Sequence, residues 1–435
     1  MKRIHGWGIY PCVNSNIILP RTLSHCQELL QNLHHPFIPR GSGRSYGDSA
    51  LAHTIVDMTA FDYLLDFDPQ QGIITCGAGI LLDTLLRFIV PLGWFLPVTP
   101  GTRYVTMGGA VASDVHGKNH HHVGSFSQYI LSMDILLGNG EVITISAHQY
   151  SDLFQATCGG MGLTGIILSI RLQLIRISSS NILQKIIACS CLEDLVEHFE
   201  LFKDSPYSVA WIDCMAKGSA LGRGILTLGE HAKDGFLHIS PSRAYTIPAC
   251  MPASFLQPAL IRLFNQFYYY KLAHTGHKKT TNLQSFFYPL DTLQHWNRLY
   301  GRDGFLQYQF VLPKTAGLEG LKAILTKIAS SGMGSFLAVL KLLGQSNLNY
   351  LSFPQEGYTL ALDFKYSSKV LALLSELDQM VLAYNGRIYL TKDARMSAAV
   401  FQQCYPNWQL FEYVRHRYHA AGIFGSYQSQ RLGLS

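Results

Sequence analysis

The chain has 435 residues and a formal net charge of +6, with 48% hydrophobic and only 14% charged residues. That length supports two or three cores. The mild positive balance excludes a nucleic-acid binder but leaves room for an acidic substrate or an anionic lipid surface. No run of about 18 uncharged apolar residues occurs, so no transmembrane helix is predicted. Lys2 and Arg3 precede no apolar stretch of signal-peptide length. Nine scattered cysteines without a CxxC pair read as the reduced thiols of a cytoplasmic protein.

In chain order, the apolar spacing predicts a helix over 24–33, short strands at 37–39 and 55–57, a strand at 72–77 and a helix at 82–90. Residues 106–113 read as a short helix opened by small residues. Residues 130–137 and 141–145 flank Gly138-Asn139-Gly140, which predicts a hairpin with a tight primed turn. A helix over 151–157 leads through a Gly159–Gly162 turn into one long strand over 164–176. The texture then changes. Strands at 208–213, 304–312, 336–343 and 358–364 alternate with helices at 318–330 and 369–384, which predicts a separate antiparallel sheet with helices on it. Between them, Phe264, Phe267, Tyr268, Tyr269 and Tyr270 precede Lys271, His274, His277, Lys278 and Lys279. Aromatics beside lysines suit a membrane interface or a lipid-tail groove. The alternative is an amphipathic helix packed on its own domain with a basic loop.

Four segments carry chemistry. The first is Arg40-Gly41-Ser42-Gly43-Arg44-Ser45-Tyr46-Gly47-Asp48, followed by Ser49. Its glycines permit a backbone nest for a pyrophosphate, while its spacing is neither that of a P-loop nor GxGxxG opening a helix. The second runs from Pro97 to Asn119, where Gly101, Thr106, Met107, Gly108, Gly109, Ser113, Asp114, His116 and Lys118 cluster at a helix N-terminus. His116 and His120 to His122 lack an HExxH pattern or nearby acidic or thiolate partners, so no metal is expected. The third is the glycine turn Gly159–Gly165. The fourth is Arg387–Asp393, read as a strand ending in Lys392, where a cation beside a flavin would favour hydride acceptance.

The ordered set RGSGRSYGD, PGTRYVTMGGAVASDVHGKNHH, SMDILLGNGE, CGGMGLTGII, LQYQFVLP and YLTKDAR resembles the vanillyl-alcohol-oxidase-type FAD oxidoreductases with a PCMH-type FAD domain. The likeness covers nearly the whole chain. It implies an α+β protein with an FAD domain over 1–177, an inserted substrate domain over 178–386 and a C-terminal segment, 387–435, that returns to the first. Carried over, Arg40 to Ser49 would wrap the FAD pyrophosphate, with Tyr46 against the flavin. Gly101, Thr106 to Gly109 and Ser113 to His116 would continue the cradle. Ile167 would lie at the adenine end, and Tyr389 and Lys392 by the isoalloxazine. Lys118, Gln307, Gln309 and Lys341 would face substrate, with His116 supporting the flavin.

Two departures matter. Arg44 stands where many relatives tether flavin through a histidine, and no cysteine lies near Gly108-Gly109, which implies noncovalent FAD. Ala361 stands where near relatives carry a cysteine, so a thiol-trapping inhibitor should fail here.

The resemblance implies oxidation of the 2′-hydroxyl of a polyprenylphosphoryl-β-D-ribose-like substrate, as the first half of an epimerisation completed by a separate NAD-dependent reductase. Peripheral contact with the inner membrane face would accompany it. An oxygen-using aldonolactone or sugar-alcohol oxidase is the runner-up. A non-catalytic flavin or lipid-sugar binding protein is the reading from another class. Tyr46, Lys118 and Lys392 are all candidates for the base, and no pattern ranks them.

Overall fold

One eight-stranded sheet, spanning residues 181–388, decides where the polar side chains go. The computed structural model describes residues 1–239, 245–248, 257–274 and 278–434. The sheet runs in the order Lys278–Asn282, Asn181–Cys189, Gly224–His231, Tyr207–Ile212, Ala338–Leu343, Gly357–Lys365, Phe305–Pro313 and Arg387–Ile388. Every pairing in it is antiparallel. Side chains alternate between the faces of a strand. Leu306, Tyr308, Phe310 and Leu312 are buried on the face covered by the helices Leu192–Leu201, Gly317–Ser331 and Ser368–Ala383. Two hydrogen bonds stitch that layer: Tyr308 Oη donates to Asp378 Oδ1 at 3.0 Å, and Tyr358 Oη to Glu200 Oε1 at 2.5 Å. The intervening residues Gln307 and Gln309 therefore face the other way. Register then sets Gln307 beside Asp363, Gln309 beside Ala361 and Lys341 beside Thr359.

Two smaller sheets precede this one. Lys2–His5, Cys12–Ile18, Thr54–Asp57 and Phe37–Arg40 form the first, whose last two pairings are parallel. The second orders Leu64–Asp68, Ile73–Gly77, Ile166–Gln173, Ile130–Leu136 and Val142–Ile145, antiparallel throughout. The chain's end packs back on them. Phe37 N–H donates to Ile423 O at 3.0 Å, and Gly425 N–H to Phe37 O at 2.9 Å. Arg431, on the helix Tyr427–Leu432, bridges Asp48 at 2.7 Å and Asp393 at 2.9 Å.

Three local expectations need correction. The hairpin does not use a primed turn: Gly140 N–H bonds Leu137 O at 3.0 Å, and only Gly140, at φ +85°, enters the left-handed region while Gly138 and Asn139 stay outside it. The strand expected over 164–176 splits. Leu174 N–H turns to Gly72 O at 2.7 Å, and Ile175–Arg176 pairs with Trp94–Phe95 in a separate ribbon. Lys392 lies in a turn rather than ending a strand, because only Arg387–Ile388 pairs with the sheet and Lys392 N–H bonds back to Tyr389 O at 3.0 Å.

Candidate active site

A cavity of about 900 Å³ lies between the open face of the large sheet and the glycine-rich loops. That is toward the upper end of the range for small-molecule sites, roughly 300–1,000 Å³. One wall is a cradle. Thr106 caps the helix Met107–Ala112 by accepting from Gly109 N–H at 3.2 Å, which fixes the loop ahead of it. Gly41 approaches so closely that an added Cβ would meet Thr106 Oγ1 at 2.1 Å. Gly43 sits at φ +65°, curling the backbone between Gly41 and Arg44. Among the described residues, no partner takes the backbone N–H groups of Gly41, Ser42, Gly43 or Arg44. Free amides in a tight curl beside a helix N-terminus are what a pyrophosphate requires, so the residues present fit FAD.

Most of the expected cradle lines this cavity: Arg40 to Tyr46, Ser49, Gly101, Thr106, Gly108, Gly109, Ser113, His116, Ile167, Tyr389 and Lys392. Four residues do not, each for a visible reason. Gly47 packs on the Asp393 backbone, where a Cβ would meet Asp393 O at 1.8 Å. Asp48 is bound by Arg431. Met107 is wholly buried in the core. Asp114 is a buried hub: its Oδ2 accepts from Asn347, Asn349 and Ser352, and its Oδ1 from Ser127 N–H at 3.0 Å. Arg40 reaches the cavity, but its guanidinium donates to Ala50 O at 3.1 Å and His5 O at 2.8 Å, so it braces the loop. Arg44 stacks over Trp7, 4.2 Å from the ring centroid, and also faces Tyr104 at 5.4 Å.

The opposite wall carries Lys118, Gln307, Gln309 and Lys341, with Tyr389 and Lys392 at the junction. A chain of bonds fixes the middle of it. Thr359 Oγ1 donates to Phe310 O at 2.8 Å, so its oxygen can only accept from Gln309 Nε2 at 3.2 Å. That orients the Gln309 amide, whose Nε2 also lies 3.1 Å from His116 Nε2. His116 Nε2 is thereby an acceptor, which assigns the proton to Nδ1 and leaves Gln309 Oε1 as an acceptor. His116 Nδ1 is buried with no partner among the described residues. Burial first, then the nearby Lys341, His120 and Lys392, hold this imidazole far below the usual histidine range. It is a neutral donor at working pH. The neighbouring histidines are engaged elsewhere: His120 Nδ1 accepts from Gly344 N–H at 3.0 Å, and His121 Nε2 lies 3.0 Å from Ser205 O.

Three half-buried lysines converge here with few anions to balance them. Burial, then Lys341, lowers Lys118 to about 7, and burial lowers Lys341 to about 8. Lys392 falls to about 7, again chiefly through burial, with Asp363 opposing and Lys341 assisting. Lys392 Nζ lies 3.9 Å from the Tyr46 ring centroid, and Lys118 Nζ donates to Phe286 O. Burial pushes the Tyr46 phenol well above its ordinary range. Asp363, raised to about 7 by burial, accepts from Gln307 Nε2 at 2.6 Å. Sequence reading missed Asp363 and Thr359. Their signal was present: they are the polar residues two positions either side of Ala361 on an otherwise apolar strand.

Farther along the sheet the cavity is lined by Ile186, Val209, Trp211, Tyr268, Leu272 and Phe286, with Gln184, Thr227, Lys279, Thr281 and Ser285 among them. A separate group, Cys189, Asp194 and His198, brings ligand-type atoms within 4.8 Å of one another. Helix capping accounts for it, since Asp194 Oδ2 accepts from Ser190 N–H at 2.7 Å and His198 Nδ1 bonds Asp194 O at 2.8 Å.

Comparison with known proteins agrees with this geometry. An FAD binding domain family matches residues 15–146. An L-gulonolactone oxidase of Bos taurus is 23% identical over 65% of this chain and 64% of its own length. An uncharacterized protein of Streptomyces coelicolor is 31% identical over 82% of this chain and all of its own. The decaprenylphosphoryl-beta-D-ribose oxidase of Mycolicibacterium smegmatis is 35% identical over 454 aligned residues, covering 100% of this chain and 98% of that protein. Identity at that level along the full length of both chains makes this chain an FAD-dependent oxidoreductase that belongs to the decaprenylphosphoryl-beta-D-ribose oxidase family.

Proposed function

We propose that the chain oxidises the 2′-hydroxyl of a polyprenylphosphoryl-β-D-ribose-like substrate to a ketone, with noncovalent FAD in the cradle. The observation that carries this reading is the pairing of Lys118 and Lys341 with the apolar side chains farther along the cavity. Neither half-buried lysine has a carboxylate partner among the described residues. A phosphate supplies the missing charge, Gln307 and Gln309 meet the sugar hydroxyls, and the apolar side chains take the lipid tail. A small polyol or lactone would leave both the lysines and those side chains unmatched.

When bound, FAD supplies the hydride acceptor. The protein holds the rest of the chemistry. Gln309 Oε1 accepts from a substrate hydroxyl, an orientation enforced by Thr359. His116 holds that amide from the other side, its Nε2 accepting from Gln309 Nε2. The phenol of Tyr46 stays protonated, which removes it as a base. Lys118, paired with the phosphate, stays charged, and the hydroxyl proton goes to the amine of Lys392, poised near pH 7, where a general base works best.

Noncovalent attachment is supported by the cavity wall, which among the described residues holds no cysteine and, of the histidines, His116 and His295. The contacts of 423–431 with Phe37 and Asp48 support reading 1–177 and 387–435 as one FAD-binding unit, with the substrate unit between them. A separate NAD-dependent reductase would take the ketone, and the protein would sit peripherally at the inner membrane face. No helix among the described residues is long and apolar enough to cross a membrane. The reading is tested with substrate deuterated at C2′. It predicts a primary isotope effect on flavin reduction and a ketone that has lost the deuterium from C2′ and the proton from its hydroxyl. An unlabelled-like rate with oxidation at another carbon would reject it.

A further inference from the structure

The helix Pro258–Ala273 has the wrong face toward water. At 100° per residue, Leu260, Leu263, Phe264, Phe267 and Tyr270 fall on one stripe. They are 44%, 63%, 46%, 64% and 52% exposed. A helix on a soluble surface normally turns charged residues outward. Here the stripe is apolar from Leu260 to Phe267, with Lys271 entering it at the C-terminal end, and no element among the described residues covers it. The inner face is anchored: Asn265 Nδ2 donates to Asp213 Oδ1 at 2.9 Å and Ser335 O at 3.3 Å, and Tyr268 packs on Trp211 at 4.8 Å. Tyr268 and Leu272 on that inner face are part of the cavity wall.

Charge names the occupant. Residues 235–290 contain no aspartate or glutamate. Lys271 is exposed on the stripe itself, Arg262 is exposed on the flank of the helix, Lys278 and Lys279 are exposed just beyond it in sequence, and Lys271 Nζ lies 5.9 Å from the Phe267 ring. The last two lysines are not in a loop. They form the edge strand Lys278–Asn282, which carries Lys279 and Thr281 to the cavity; His277 lies outside the described residues. An acid-free segment with aromatics on one helix face and basic residues beside them matches an anionic lipid surface, where apolar insertion and charge attraction add.

We propose that this stripe docks on an anionic bilayer and that the helix is one post of a lateral portal. The tail of the lipid-linked substrate passes beside it from the bilayer into the cavity without crossing water. The inference rests on the lipid-linked reading of the substrate.

Flotation with vesicles containing phosphatidylglycerol tests the docking without any substrate. Wild-type holoprotein is expected to float at low salt and to release at high salt, while L263E/F267E stays behind. In turnover, the variant is expected to show an apparent KM raised about tenfold or more for long-chain substrate presented in those vesicles. It should turn over a short-chain, water-soluble analogue as wild type does, since neither position touches the cavity. Wild-type protein that ignores the vesicles, or a variant that floats equally well, would overturn the proposal. So would a wild-type dimer that the variant converts to monomer without any vesicle binding, which would make the stripe a self-association face. Failure of wild type on both substrates would instead sink the lipid-linked reading.

Discussion

Lys392→Met removes a charge while keeping the length of the side chain, and the structure sets the size of the effect. Burial lowers Lys392 from its ordinary 10.5 to about 7. That drop corresponds to about 5 kcal/mol by which the empty cavity disfavours the ammonium. A negative charge developing beside it recovers part of that amount, so about 5 kcal/mol is a ceiling. Single preorganised contacts of this kind typically contribute about 3 kcal/mol, or roughly a hundredfold in rate. Flavin binding should change far less, because the amides of Gly41 to Arg44 would hold the pyrophosphate in the proposed cradle. The assay is anaerobic stopped-flow reduction of flavin-loaded variant by lipid-linked ribose. Its pH dependence separates two roles. If Lys392 acts as a cation, wild-type reduction slows as pH rises through the amine's ionisation; if it acts as the base, reduction quickens. Reduction as fast as wild type in a fully flavin-loaded Lys392→Met protein would refute both.

Three further outcomes follow from the geometry. Gly41→Ala drives a methyl into Thr106 Oγ1, so the variant should purify folded but with at least tenfold weaker FAD retention; full yellow colour at equal stability would count against the cradle. Acid precipitation of wild type should leave the flavin in the supernatant, and flavin in the pellet would disprove noncovalent binding. The flavin-free protein should become more stable between roughly pH 7 and 8.5. In that window the unfolded Lys118, Lys341 and Lys392 keep protons that their folded forms lose, adding up to about 1.4 kcal/mol per lysine per pH unit. The raised Asp363 works oppositely only below about 7, and the six raised thiols of Cys26, Cys76, Cys158, Cys189, Cys214 and Cys404 begin to oppose it from about 8, so the gain is steepest between about 7 and 8. Urea midpoints that stay flat or fall across that window would contradict the half-buried, unpaired lysine cluster.

The features that were legible in the sequence are local ones. Period-two alternation located the strands that carry Gln307, Gln309 and Lys341, and a small-residue N-terminus located the helix Met107–Ala112. What failed depended on partners far along the chain. Asp114 resembles a cradle residue by position, yet Asn347, Asn349 and Ser352 claim its carboxylate. Asp48 is likewise taken by Arg431, near the other end of the chain. Thr359 and Asp363 acquire their roles only through strand register. In sequence Pro258–Ala273 leaves both a membrane interface and ordinary amphipathic packing open, because which face is exposed depends on the sheet it packs against; the structure exposes Leu260, Leu263, Phe264, Phe267 and Tyr270.

The central claim is that this cavity oxidises a lipid-linked pentose rather than a free sugar derivative. Anaerobic bleaching of the bound flavin against a panel of polyprenylphosphoryl pentoses, aldonolactones and polyols tests it most directly. The account predicts rapid bleaching by polyprenylphosphoryl-β-D-ribose and none by the lactones or polyols. Bleaching by a lactone or polyol with the phosphoryl ribose inert would contradict it.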